Sequence, residues 1–172
     1  GGGLAARIRC EPGDVVLGEE PTFRGWLDAV RAAGARLRGV PMQEDGIDVD
    51  ALEAALREGG PIRFLYTIPN FQNPTGITMS MEKRRRVNER AVQYDILILE
   101  DNPYGDLRFR GEALPPIKSL DETGHVIYMG SFSKILAPGV RTGYVLAHRD
   151  LIAQYTTLKS ACDVHSNILA QK

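Results

Sequence analysis

Short apolar runs alternate along the chain with stretches in which apolar residues recur every three or four positions. The runs at 15–17, 36–40, 62–66, 96–99, 126–129 and 144–147 predict strands, and the stretches at 25–33, 50–58 and 80–94 predict helices. Punctuation supports these boundaries. Gly34 is placed to end the first helix, Asp48 or Asp50 to cap the second before Gly59-Gly60 closes it, and Ser80 to cap the third. The stretches Phe64-Leu65-Tyr66 and Ile96-Leu97-Ile98-Leu99 are apolar at consecutive positions, as strands covered on both faces must be. Strands and helices in alternation predict an α/β fold with a largely parallel sheet.

The two ends read differently. Residues 150–172 predict one last helix, and the spacing of Leu4 and Ile8 predicts the closing turn of a helix that starts earlier. The chain does not begin with Met, so a piece of a longer protein, cut at both ends, is expected.

Composition narrows the function classes. With 172 residues, one domain is expected, burying roughly 70% of its unfolded surface. A net charge of −1 gives no electrostatic reason for a nucleic-acid or anionic-membrane partner. No apolar run approaches the ~20 residues of a membrane span, and no signal peptide is visible. Cys10 and Cys162 lie far apart without a CxxC spacing, which fits a reduced, cytoplasmic protein. His125, His148 and His165 lack metal-ligand spacing, so no metal is expected.

The candidate chemistry follows the predicted strands. Asn73 falls after the third, Asp101 after the fourth and Lys134 after the fifth, so a parallel sheet would gather all three at one edge. The nearby residues complete a set. Lys134 offers an amine that can form an imine, and Asp101 offers a carboxylate for a pyridine nitrogen. Asn73 and Tyr104 can reach a ring hydroxyl, Ser131, Ser133 and Arg141 can hold a phosphate, and Phe23 can stack on a ring. That is the set that holds and tunes pyridoxal 5'-phosphate. Each residue also has a plainer reading: Lys134 on a solvated loop, Asp101 as a helix cap, Asn73-Pro74 as a turn, Arg141 in a surface ion pair, Phe23 in the core. Glu100 competes with Asp101, although strand alternation points it the other way. Ser131-Phe132-Ser133-Lys134 also matches the S-x-x-K of penicillin-recognising enzymes, but the companion S-D-N and K-T-G motifs are missing. No P-loop or G-x-G-x-x-G fingerprint is present.

Asn73-Pro74-Thr75-Gly76, Glu100-Asp101-Asn102-Pro103-Tyr104 and the run from Ser131 to Arg141 resemble the fold-type I, class I/II aminotransferases, nearest the 2-aminoadipate and aromatic branch. Glu11-Pro12-Gly13-Asp14 and Glu20-Pro21-Thr22-Phe23 fit the same family, and the likeness covers nearly the whole chain. The resemblance implies a three-layer α/β/α large domain, with residues 1–172 as its cofactor-binding core. It implies that Lys134 forms the internal aldimine and shuttles the proton, that Asp101 pairs with the pyridinium nitrogen, and that Asn73 and Tyr104 bond the ring oxygen. It places Ser131, Ser133 and Arg141 on the phosphate. Phe23 stands where the family usually has a stacked tyrosine. The implied activity moves an amino group from an amino acid to a 2-oxo acid, in a cytoplasmic homodimer. The family's upstream phosphate turn, its substrate arm and its small C-terminal domain have no counterpart here, so this stretch alone is expected to be catalytically incomplete. Two alternatives share nearly all of these residues: the sensor domain of a pyridoxal-phosphate-dependent transcription regulator, and a β-elimination lyase.

Overall fold

The computed structural model describes residues 3, 6, 9–163 and 165–171, so the predicted helical turn at Leu4 and Ile8 falls outside the described residues. Seven strands form one sheet: β1 (Val15–Glu20), β2 (Arg36–Gln43), β3 (Gly46–Ile47), β4 (Ile62–Thr67), β5 (Leu97–Asn102), β6 (Val126–Ser131) and β7 (Gly143–Leu146). Their order is β3-β2-β1-β4-β5-β6-β7. The four central pairings are parallel, and only β2–β3 and β6–β7 are antiparallel. They are accompanied by the α-helices α1 (Arg24–Ala32), α2 (Val49–Arg57), α3 (Met81–Gln93) and α4 (Arg149–Asp163).

Strand alternation builds two cores from the same runs. Leu17, Leu65, Ile98 and Val126 face one way, onto Leu52, Leu56, Val87 and Ala91 of α2 and α3. Val16, Phe64, Tyr66, Leu99 and Ile127 face the other way, onto Trp26 and Val30 of α1 and Leu151 and Tyr155 of α4. The result is the three-layer α/β/α arrangement, and each fully buried aliphatic or Phe side chain contributes about 1.5–3 kcal/mol to it. The helix starts follow their caps. Asp48 accepts from the N–H of Asp50 and Ala51, and Ser80 accepts from Lys83 N–H, so Asp48 rather than Asp50 caps α2. Gly34, at φ +74°, turns the chain out of α1.

Several elements differ from the sequence reading. β5 continues through Asp101 and Asn102, because these polar residues pair with Met129 and Gly130 of β6. Asp101 therefore sits at the end of a strand rather than beyond it. The last helix stops at Asp163 instead of running to 172. Beyond it, side chains serve the backbone locally: Asn167 Oδ1 accepts from Ala170 N–H, and His165 Nδ1 lies 2.9 Å from Ser166 O. The strand β3, only two residues long, is too short to leave a pattern in the sequence. Among the described residues, no helix is long and apolar enough to cross a membrane, and no group of His, Cys, Asp or Glu could hold a metal ion.

The approach to β6 depends on one carboxylate. Asp121 accepts from Lys118 Nζ at 2.8 Å and from the N–H groups of Gly124, His125 and Val126. Burial pushes its carboxyl up, but the Lys118 ammonium and these backbone donors outweigh burial and hold it at about 2. A depressed carboxyl contributes stability above its ordinary 3.8 and loses it as pH falls toward 2. Asp121→Asn is expected to cost about 1.5–3 kcal/mol at pH 7. In urea denaturation, the gap from the wild type should narrow as pH drops from 3.8 toward 2. A gap that stays constant across that range would rule this account out.

Candidate functional site

The sheet reverses its winding between β1 and β4. From β1 the chain moves outward to β2 and β3, then crosses back to β4 and proceeds to β5, β6 and β7. Loops at the carboxyl ends of the strands diverge at such a switch point and leave a crevice. A cleft of about 680 Å³ lies there, and it is lined by all eight residues singled out above: Phe23, Asn73, Asp101, Tyr104, Ser131, Ser133, Lys134 and Arg141. Phe23 arrives from the end of β1, Asn73 from the loop after β4, and Asp101 and Tyr104 from the end of β5. Ser131 ends β6, with Ser133 and Lys134 in the turn that follows. A second cleft, of about 760 Å³, opens at the amino ends of the strands around Arg63, Asp95 and His125, and none of the eight residues reaches it.

Asp101 is the electrostatic centre. Its Oδ2 accepts from Tyr66 OH at 2.7 Å, and Trp26 stacks on the Tyr66 ring at 4.5 Å between centroids. Burial pushes the Asp101 carboxyl up against the pull of that hydrogen bond, and burial and Asp101 together push the Tyr66 phenol up. Among the described residues no cation pairs with Asp101. A carboxylate so placed is costly unless a donor reaches it from the cleft. Glu100 points to the opposite face. There it accepts from the N–H groups of Ile117 and Lys118 at 2.9 and 2.8 Å.

The other lining residues form local pairs. Asn73 Nδ2 donates to Tyr104 OH at 3.3 Å, so an amide and a phenol sit together in the cleft. Ser133 N–H donates to Ser131 Oγ at 3.1 Å. Arg141 takes a left-handed conformation, φ +52°, just after the 3-10 turn Pro138–Val140. Such a backbone costs a non-glycine residue about 1–3 kcal/mol and clusters at functional sites. Its guanidinium donates to Pro138 O at 3.3 Å, and among the described residues neither Arg141 nor Lys134 forms an ion pair. Among the described residues nothing supports the surface ion-pair reading of Arg141. Phe23 is 41% exposed at the rim, which removes its core reading. Gly130 keeps this end open to Tyr144 of β7, because any Cβ there would collide with the Tyr144 ring.

Sequence reasoning missed Tyr66, which holds Asp101, and Tyr155 and Lys159 of α4, which close one side of the cleft. Tyr66 was open to discovery. It is the one hydroxyl in the run Phe64-Leu65-Tyr66, and its alternation parity matches Leu99 and Asp101 rather than Leu65.

A cleft lined by a desolvated carboxylate, hydroxyls and cations suits a planar group bearing a basic nitrogen and a phosphate. Known proteins agree. The family model described as aminotransferase class I and II matches residues 2–171. The aromatic-amino-acid aminotransferase 1 of Thermococcus litoralis is 43% identical over 172 residues, which cover 98% of this chain and 41% of that protein. An uncharacterized HTH-type transcriptional regulator of Bacillus subtilis, YisV, is 35% identical over 91% of this chain and 32% of its own. The crystal structure of LysN, the alpha-aminoadipate aminotransferase of Thermus thermophilus, complexed with N-(5'-phosphopyridoxyl)-L-leucine, superposes with a TM-score of 0.94 at 36% identity, covering 99% of this chain and 44% of that one. The chain thus spans less than half the length of the relatives it matches.

Proposed function

The chain belongs to the class I and II aminotransferase family, and we propose that it is the cofactor-holding core of the large domain of a pyridoxal-phosphate-dependent aminotransferase. One observation carries the reading: Lys134, Asp101 and Arg141, from different strand ends, line a single cleft in which Asp101 is desolvated and, among the described residues, in no ion pair. The LysN structure, with its phosphopyridoxyl ligand, supports the choice of cofactor.

When bound, pyridoxal phosphate supplies an electron sink for the electron pair left as a bond to the amino-acid α-carbon breaks. The protein's part is to hold, orient and move protons. Lys134 Nζ would be the tether and the base that takes and returns the α-proton. Asp101 would accept the pyridine N–H and keep that nitrogen protonated, with Tyr66 fixing the carboxylate. Asn73 and Tyr104 would donate to the ring oxygen, Ser131, Ser133 and Arg141 would hold the phosphate, and Phe23 would cover a ring face. An amino acid would donate its amino group and a 2-oxo acid would accept it, in a cytoplasmic homodimer.

YisV supports a second reading, in which the same cleft holds the cofactor in a regulator and turns nothing over. Full-length protein loaded with pyridoxal phosphate, assayed with several amino donors and 2-oxoglutarate, separates the readings. Amino transfer is expected. Cofactor uptake without transfer to any acceptor would select the regulator, and ammonia release would select a lyase. Residues 1–172 alone are expected to show no turnover, because nothing in them resembles the part that grips the substrate carboxylate. Turnover by this stretch comparable to that of the full-length protein would overturn the assignment of residues 1–172 as a core.

A further inference from the structure

Glu19 is a buried carboxylate that the proposed chemistry does not use. It is 1% exposed, and no cation pairs with it among the described residues. Its oxygens accept from Thr67 OH at 2.5 Å, from Ile68 N–H at 3.2 Å and from Gln72 Nε2 at 3.1 Å. These bonds close the end of β1 onto the end of β4, at the switch point itself.

We propose that Glu19 and Gln72 act as one positioning unit that holds Phe23 and Asn73, the two walls of the cleft, in register. The inference rests on the reading of Phe23 and Asn73 as cofactor contacts. Matching donors to acceptors fixes the orientation of the amide. Pro21 O can only accept and Thr75 N–H can only donate, so Gln72 presents its NH₂ to Pro21 and Glu19 and turns its carbonyl to Thr75. The second NH₂ hydrogen reaches Pro21 O at 2.9 Å, two residues before Phe23. The carbonyl accepts from Thr75 N–H at 2.9 Å and Thr75 OH at 2.7 Å, inside the turn that carries Asn73. Gln72 is itself 1% exposed, so no water replaces a bond that breaks. One amide, anchored on Glu19, thus clamps both walls to the sheet.

Full-length Gln72→Glu tests this. The new carboxylate still accepts from Thr75 but repels Glu19 and Pro21 O. Adding Glu19→Gln reverses the pair and restores a donor facing an acceptor. In cofactor-free protein, hydrogen exchange over residues 20–24 is expected to quicken up to roughly tenfold in Gln72→Glu and to slow again in the double variant. With pyridoxal phosphate bound, the pH midpoint of its visible band should shift in Gln72→Glu and return part of the way in the double variant. Gln72→Met, neutral and close in volume, should quicken exchange at both walls and serves if the charged variant does not fold. Folded variants with unchanged exchange and an unchanged band, or a double variant without recovery, would overturn the proposal. A wild-type protein that takes up no pyridoxal phosphate would instead overturn the reading of the cleft. The exchange data on cofactor-free protein would still decide the clamp.

Discussion

Lys134→Ala in the full-length protein is expected to lower amino transfer by about 10⁴-fold or more, because it removes a covalent tether and a general base together. Lys134 lies in the turn after β6, exposed and in no ion pair among the described residues, so its ammonium is available to the cleft. Two other lysines set the test. Lys118 is occupied, with Nζ at 2.8 Å from Asp121 and 2.9 Å from Val126 O. Lys159 of α4 is the nearer rival, since it lines the same cleft. Borohydride reduction of the loaded protein, followed by peptide mapping, should place the reduced adduct on Lys134. In Lys134→Ala the visible band should be lost, even though the phosphate contacts of Ser131, Ser133 and Arg141 still allow some cofactor to bind. An adduct on Lys159, with Lys134→Ala retaining both band and turnover, would sink the assignment.

Much of this arrangement could be read from the chain, and particular residues show why. Leu65 and Ile98 pack on one face while Phe64, Tyr66 and Leu99 pack on the other, so consecutive apolar residues signalled strands covered on both sides. Once those strands were parallel, Asn73, Asp101 and Lys134 had to meet at one edge. What stayed hidden depends on contacts between distant segments. Asp101 and Asn102 look like the start of a loop, yet pairing with β6 keeps them in β5. Gln72 looks like one more polar loop residue, and only the fold brings Glu19 and Pro21 to its amide. Glu19 stands beside Glu20 at the end of a short strand that begins Val15-Val16-Leu17-Gly18. Its burial pushes the carboxyl up to about 7 against donors from Thr67, Ile68 and Gln72. No local pattern announces that environment.

Asp101→Asn and Glu100→Ala are expected to fail in opposite ways, although the two residues are neighbours on one strand. Asp101→Asn keeps the shape and can still accept from Tyr66, but it offers the pyridine nitrogen no charge. Losing one preorganised electrostatic contact of this kind costs about 10²–10³-fold in turnover. Stability should move the other way. Burial raises the Asp101 carboxyl in the cofactor-free protein, despite the Tyr66 bond. A carboxyl raised in the folded state holds an extra proton there, so its contribution to stability falls as pH rises above its ordinary 3.8. Asp101→Asn removes that loss. The cofactor-free variant should therefore gain stability relative to wild type at pH 7, by more than it does near pH 4. Glu100→Ala strips the acceptor from two N–H groups, the buried one of Ile117 and that of Lys118, and removes the carboxylate whose charge supports the buried Arg84. It should cost about 2–4 kcal/mol of stability and leave the turnover of the folded fraction within a few-fold of wild type. Denaturant titrations at pH 4 and pH 7, run beside activity measurements, separate the pair. If Glu100→Ala proves the crippling change for turnover while Asp101→Asn is mild, the alternation of β5 has been read with the wrong residue facing the cleft.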